Sequence, residues 1–276
     1  RSFLTPLTID GGNTTVTYNG LVQTGQWTAS AEYDADLLLG NEIVGKKNVG
    51  SYELDLGGLY SSQQGYDLVV SNGTLTINKA QATVTANSGT TTYNGAEQNV
   101  SGFTVDGLVN GEDESVVTGV TTSGGKGTNA GSYVLTVSGG SADNYELTFV
   151  DGTLTIERKA ITGNITADGK TYDGSTYANT HGTLDGVISG DDLQFNTTGA
   201  FADKHAGTGK QVNVSGSLGG GDAGNYVLNT NSSTTANIDR KTITADVRAL
   251  DKLFDGSLAA TLEGVLTAAF EAEIIA

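Results

Sequence analysis

The chain has 276 residues, a formal net charge of −17 and no cysteine. Disulfide staples and thiolate metal sites are therefore excluded, and so acidic a chain repels nucleic acid and anionic membranes, which recruit lysine and arginine. Glycine accounts for 40 residues, proline for 1, and 37% of the chain is apolar. Short runs of Val, Ile, Leu and Tyr cut by Gly and Asn read as strands and tight turns; a disordered linker lacks such residues. No apolar run approaches the length of a membrane span and no signal peptide is visible. The chain opens on Arg1 and contains no Met, so it reads as an excised piece of a longer polypeptide.

One unit recurs along the chain. The first copy carries the turn Tyr18-Asn19-Gly20, then Gly50-Ser51-Tyr52 leading into the alternating Glu53-Leu54-Asp55-Leu56, a later Tyr66, and the closing run Gly73-Thr74-Leu75-Thr76-Ile77. The second repeats these as Tyr93-Asn94-Gly95, Gly131-Ser132-Tyr133, Tyr145 and Gly152-Thr153-Leu154-Thr155-Ile156. The third has Tyr172-Asp173-Gly174, then Gly209-Lys210-Gln211-Val212-Asn213-Val214 in place of the Gly-Ser-Tyr strand, Tyr226, and a degenerate closing stretch from Thr234 to Ile238. The fourth begins with Phe254-Asp255-Gly256, and its Leu262-Glu263-Gly264-Val265-Leu266 aligns with Leu184-Asp185-Gly186-Val187-Ile188.

The turn aromatics are spaced by 75, 79 and 82 residues. Lys79, Lys159 and Lys241 follow the closing strands and place module boundaries at 1–78, 79–158 and 159–240, with an incomplete fourth module at 241–276. No Pro- or Gly-rich linker separates the modules, so they are expected to form an elongated, semi-rigid rod. In the tail, Leu258, Leu262, Leu266, Phe270, Ile274 and Ile275 could be drawn on one helix face. The alignment with the third copy favours strands, leaving half a module that is expected to be poorly ordered alone.

Within a module the residues alternate as strands do. Tyr133, Leu135 and Val137 point one way and Val134 and Thr136 the other; Tyr145, Leu147 and Phe149 oppose Glu146 and Thr148. Asp151-Gly152 suits a hairpin turn or bulge, after which Leu154 and Ile156 return to the apolar face. Six or seven short strands per module and no internal helix predict an all-β chain of small Ig-like β-sandwiches. A β-grasp-like module is the alternative.

Candidate chemistry is sparse. The turn residues Tyr18, Asn19, Gly20, Tyr93, Asn94, Gly95, Tyr172, Asp173, Gly174, Phe254, Asp255 and Gly256 form a structural motif, in which Asn or Asp before Gly supplies the positive φ of a primed turn. Recurrence at one position, with Phe at 254, fits a core or corner role better than sugar stacking. Acidic loops offer Asp34 and Asp36, then Glu112, Asp113 and Glu114, then Asp191 and Asp192 as candidate Ca²⁺ ligands. Calcium needs roughly six to eight converging oxygens, so these fall short without partners from other loops. His181 and His205, the two histidines, show no base–nucleophile spacing, and the single Trp27 reads as a partly buried core residue. No catalytic residue and no cofactor is assigned.

The Tyr-Asn-Gly and Tyr-Asp-Gly turns, the Gly-Ser-Tyr strands and the Gly-Thr-Leu-Thr-Ile endings together resemble the MBG and YDG repeats of bacterial surface proteins. Modules one and two resemble the MBG type, and module three and the remnant the YDG type. Such repeats stand in tandem in filamentous-haemagglutinin-like adhesins of the two-partner secretion type, including biofilm-matrix adhesins. The resemblance implies a non-enzymatic, monomeric stalk segment outside the cell, serving cell adhesion or biofilm formation. Polysaccharide, host glycan or host protein would then be met through the parent protein; direct carbohydrate binding by the modules is the alternative.

Overall fold

The computed structural model describes residues 4–40 and 45–267. The chain divides into two compact units, residues 1–91 with 97–156, and residues 92–96 with 157–276. Among the described residues the secondary structure is all β apart from three single-turn 3-10 helices, Ala35–Leu37, Glu114–Val116 and Ala223–Asn225. The β-grasp alternative, which lays a helix across its sheet, is thereby set aside. No helix among the described residues is long and apolar enough to cross a membrane.

Repeat two shows the plan. Its opening strand, Ala80–Ala86, pairs antiparallel with Phe103–Asp106 and parallel with Tyr145–Val150. The facing sheet orders Gly89–Thr92, Gly152–Glu157, Gly131–Ser141 and Thr118–Gly124. Strict alternation turns Ala80, Ala82, Val84 and Ala86 inward from one sheet and Leu135, Val137, Leu154 and Ile156 inward from the other, and all eight are buried. Removing a side chain the size of Leu or Val from water contributes about 1.5–3 kcal/mol, which Val84, Leu135, Val137, Leu154 and Ile156 each supply to the core between the sheets.

The other repeats follow suit. Thr5–Asp10 lies between Thr28–Ala29 and the parallel Tyr66–Ser71, opposite Gly73–Asn78 flanked by Asn13–Thr17 and Gly50–Leu54. Lys159–Ala167 lies between Thr180–Asp185 and the parallel Tyr226–Thr230, with a five-stranded sheet centred on Gly207–Gly219 as its counterpart. In the tail, Thr244–Ala249 pairs antiparallel with Leu262–Thr267, the same pair that opens repeat three. The stretch 262–267 is therefore strand and not helix. Phe270, Ile274 and Ile275 lie outside the described residues.

One sequence expectation is corrected. Asp151-Gly152 does not close a hairpin: Tyr145–Val150 and Gly152–Glu157 belong to different sheets, and the chain crosses between them there. Gly152 is needed for space rather than for a positive φ, since a Cβ would sit 2.1 Å from the Asn87 carbonyl oxygen. The Asp151 carboxylate accepts the Val137 N–H at 3.0 Å and secures the crossing. Asn72 does the same for the Leu56 N–H at 2.9 Å, next to Gly73. A crossing and a hairpin leave the same alternation on either side of the break, so pattern alone does not separate them.

Candidate functional site at the repeat turns

The aromatic turn shares a common build among the copies. The N–H groups of Tyr18, Tyr93 and Tyr172 donate to the carbonyls of Asn78, Glu157 and Asp239, each at 2.8 Å, tying the turn to the end of the closing strand. The side chains of Asn19, Asn94, Asp173 and Asp255 accept the N–H two residues on, from Leu21, Ala96, Ser175 and Ser257, each at 2.9 Å. Gly20, Gly95, Gly174 and Gly256 have φ of 76°, 79°, 79° and 76°. The Asn or Asp before them does not share the positive φ, so these are side-chain-closed Asx turns and not primed turns.

In repeats three and four a lysine reinforces the turn. Lys170 Nζ donates to Asp173 Oδ1 at 2.9 Å and to the carbonyls of Ser175 and Tyr177 at 2.9 and 2.8 Å. Lys252 treats Asp255 and Ser257 in the same way. The Lys170 ammonium lowers the Asp173 carboxyl to about 2. The corresponding positions hold Val16 and Thr91, and among the described residues the buried Thr91 hydroxyl has no hydrogen-bond partner.

The tyrosines project from these turns into a socket. In the first unit, Tyr18 is 3% exposed, and its hydroxyl donates to Glu112 Oε1 while Tyr145 donates to Glu112 Oε2 at 2.5 Å. The two rings meet edge to face with centroids 5.5 Å apart. The Val109 N–H donates to the Tyr145 hydroxyl at 3.0 Å, and Asn110 Nδ2 donates to the Gly20 carbonyl at 3.1 Å. Asn144 Oδ1 accepts the Val49 N–H at 3.0 Å beside them. Residues of repeat one are thus seated on residues of repeat two.

The second unit contains the same arrangement. Tyr93 is 4% exposed, and its hydroxyl donates to Asp191 Oδ2 at 2.8 Å; Tyr226 donates to the same oxygen. The rings again meet edge to face, at 5.4 Å, and the Ile188 N–H donates to the Tyr226 hydroxyl at 3.1 Å. Each carboxylate is positioned by a tight loop, where the Glu112 N–H reaches the Val109 carbonyl at 3.1 Å and the Asp191 N–H reaches that of Ile188 at 3.2 Å.

Charge and burial reinforce one another in these sockets. Burial first, and the bond to the carboxylate second, push Tyr18 and Tyr93 up to about 12. The same causes raise Tyr145 and Tyr226. The bonds from Tyr145 and Tyr18 hold Glu112 below its usual value. A protonated phenol donating to an ionised carboxylate is the stable state of the site, and a charge-assisted bond of this kind is about twice as strong as a neutral one.

The remaining candidates fall elsewhere. Asp34 and Asp113 cap the single-turn helices, accepting from Asp36 N at 3.1 Å and Ser115 N at 2.9 Å; Asp36 and Glu114 lie exposed in those first turns. Asp192 Oδ2 accepts the Gly221 N–H at 2.9 Å. Among the described residues no three His, Cys, Asp or Glu side chains are grouped to hold a metal ion. His181 pairs with Asp168 at 2.8 Å on the surface, and His205 sits in a loop where Asp203 accepts its N–H at 2.8 Å. Trp27 packs edge to face on Tyr33 at 5.6 Å, against the cluster of Ile9, Leu54 and Leu56. Phe254 lies fully exposed on its turn.

Sequence reading separated the pieces of this site: the turn tyrosines, the acidic loops and the later tyrosines were distinct features. A signal was present. Glu112 with Asn144-Tyr145 and Asp191 with Asn225-Tyr226 occur together in repeats two and three, whereas repeat one has Tyr33 before its helix cap and Gly65-Tyr66.

Comparison with known proteins agrees with this organisation. Residues 82–155 match the MBG domain of the YGX type, and residues 157–236 match the YDG domain. Both domains are therefore present, and they belong to a family found in bacterial adhesin-like repeats. No curated protein matches the chain by sequence. Among solved structures, the Drosophila N-cadherin EC1-3 crystal structure is 10% identical, with 83% of this chain and 97% of that chain covered and a TM-score of 0.25. The N-terminal four Ig domains of Dscam1 isoform 4.44 are 12% identical, with 88% and 76% covered and a TM-score of 0.22. The I9-I11 tandem of titin is 10% identical, with 86% and 97% covered and a TM-score of 0.19.

Proposed function

We propose that this chain, which carries an MBG and a YDG domain, is a spacer segment of an extracellular bacterial adhesin-like protein. Its work in this reading is mechanical: it holds a binding region of its parent away from the cell surface, in adhesion or biofilm formation. A filamentous-haemagglutinin-like parent of the two-partner secretion type fits the tandem MBG and YDG repeats. The boundaries at 1–78, 79–158, 159–240 and 241–276 are part of the same proposal, and each sheet draws its strands from within one of these segments.

The observation that carries the reading is the recurrence of the tyrosine–carboxylate–tyrosine cluster. Tyr18 and Tyr93, both raised to about 12, are spent on joining repeats to one another. A binding module or an enzyme would aim such groups into an open cleft for a ligand. The net charge of −17 suits a soluble surface chain that resists association.

The experiment is twofold. The chain is displayed on a bacterial surface between an anchor and a known binding domain, and capture of beads coated with that domain's ligand is compared with and without it. Improved capture is expected, with no saturable binding of the chain itself to exopolysaccharides or a glycan array. Saturable micromolar binding that survives loss of the display partner would replace the spacer reading with direct carbohydrate recognition.

A further inference from the structure

We infer that each tyrosine–carboxylate–tyrosine cluster is an oxidative cross-linking site, at which Tyr18 joins Tyr145 and Tyr93 joins Tyr226 by a carbon–carbon bond between their rings. The product is dityrosine, and the co-reactant is a small one-electron oxidant of the kind that peroxide chemistry generates. The site is defined by the geometry of the two pairs and is independent of the parent protein's role.

Three observations carry it. First, the rings are already in contact. Tyr18 meets Tyr145 and Tyr93 meets Tyr226 edge to face, with centroids 5.5 and 5.4 Å apart. Second, the contact lies at the reactive ends. In each pair both hydroxyls donate to one carboxylate, Glu112 or Asp191, so the C–O ends converge and bring the neighbouring ortho carbons together. Those carbons share the unpaired electron of a phenoxyl radical and are where two such radicals couple. Third, all four rings are at most 4% exposed, which shields a radical from quenchers and from other chains.

The proton also has a destination. Tyr18 and Tyr93 are pushed up to about 12, first by burial and then by the bond to the carboxylate, so at neutral pH each phenol is protonated. Oxidation sends an electron to the oxidant while the proton crosses the existing hydrogen bond to the carboxylate, which passes it to water. Two oxidised rings then couple at their ortho carbons, and the two ortho hydrogens move to the oxygens as the rings regain aromaticity. Two phenols thus give one dityrosine, two electrons reduce two equivalents of oxidant, and two protons reach water. The bond ties the plug of one repeat, Tyr18 or Tyr93, to the socket of the next in a chain that holds no cysteine.

The test photo-oxidises the full chain with a ruthenium trisbipyridyl complex and persulfate. The monomer is recovered, unfolded, digested and read by peptide mass spectrometry. Two joined peptide pairs are expected, linking Tyr18 to Tyr145 and Tyr93 to Tyr226, each lighter than the sum of its parts by a pair of hydrogen atoms. Each should exceed every other tyrosine pair within the monomer by about tenfold or more, because preorganised groups react as if highly concentrated. The same treatment in urea should abolish the preference. Tyr18→Phe should remove the first linkage and leave the second. Glu112→Gln, oxidised below its own melting temperature, should lower the first and spare the second, since the amide does not take up the proton. Tyr60 and Tyr177 are 59% and 67% exposed, so a reaction governed by access alone would fall on them instead. That outcome, or a folded monomer with no preference for the two buried pairs, would overturn the inference. Undiminished coupling of Tyr18 to Tyr145 in Glu112→Gln would overturn the carboxylate's part as proton acceptor.

Discussion

Replacing Tyr18 with Phe deletes one hydroxyl from the first socket and leaves the ring in place. The lost interaction is the bond to Glu112, an ionised acceptor, for which about 1.5–3 kcal/mol is typical. The edge-to-face contact with Tyr145, about 0.5–1.5 kcal/mol, is retained by the phenyl ring. Glu112 also keeps the Tyr145 donor, so its carboxylate is half-satisfied and not abandoned. The expected loss is therefore about 2 kcal/mol, in the lower part of that range. Tyr133→Phe is the matched control, since the Tyr133 hydroxyl donates at 2.8 Å to the neutral Asn129 carbonyl, and about 1 kcal/mol is expected. Calorimetry of the whole chain, resolving its transitions, measures both. A double-mutant cycle with Glu112→Gln should return a coupling of about 1 kcal/mol or more between positions 18 and 112. Equal losses from Tyr18→Phe and Tyr133→Phe, or additivity in the cycle, would refute the claim that the carboxylate clasps the joint.

Alkaline pH probes both sockets without mutation. Tyr18 and Tyr93 are raised to about 12 in the folded chain, so their contribution is complete below the ordinary tyrosine value of about 10 and is lost as pH climbs towards 12; melting temperature should fall through that window, and less steeply in the Tyr18→Phe, Tyr93→Phe variant. Thr91→Val removes a buried hydroxyl without a partner and should stabilise by about 1 kcal/mol in thermal unfolding. Gly152→Ala forces a Cβ to within 2.1 Å of the Asn87 carbonyl and should destabilise by about 2 kcal/mol or more, while the equivalent change at Gly174, where a Cβ meets open space, costs only the strain of its φ of 79°. Millimolar Ca²⁺ and Mg²⁺ should raise the melting temperature alike and slightly, by screening the −17 charge; a rise specific to Ca²⁺ would make the acidic loops a coordination site.

What could be read from the chain follows from what repeats in it. Strand alternation in Tyr133–Val137 and Leu154–Ile156 was legible because one face must meet a core, and so was the all-β class. The crossing at Asp151-Gly152 was not, because the glycine answers a contact with Asn87 more than 60 residues earlier in sequence, which no local pattern encodes. The joint was hidden for the same reason. Tyr18 and Glu112 are 94 residues apart, each unremarkable in its own neighbourhood, and only the closed fold brings them to one hydrogen bond. The Asx closure of the turns lay between these cases: Asn-Gly and Asp-Gly announced a turn, but its type depended on an N–H two residues on.

The way the turn is held has a genetic consequence. The Tyr93 turn is held by the Glu157 carbonyl at the end of the closing strand and by the Asn94 side chain, while its hydroxyl and ring are received by Asp191 and Tyr226. The two halves of the fastening are therefore encoded about one repeat apart. An unequal crossover in register between repeats two and three, which both carry the socket, would delete or duplicate one module and still leave each plug ahead of them facing a socket. Length becomes a quantity that recombination can adjust in steps of one repeat, with no compensating mutation at the seam.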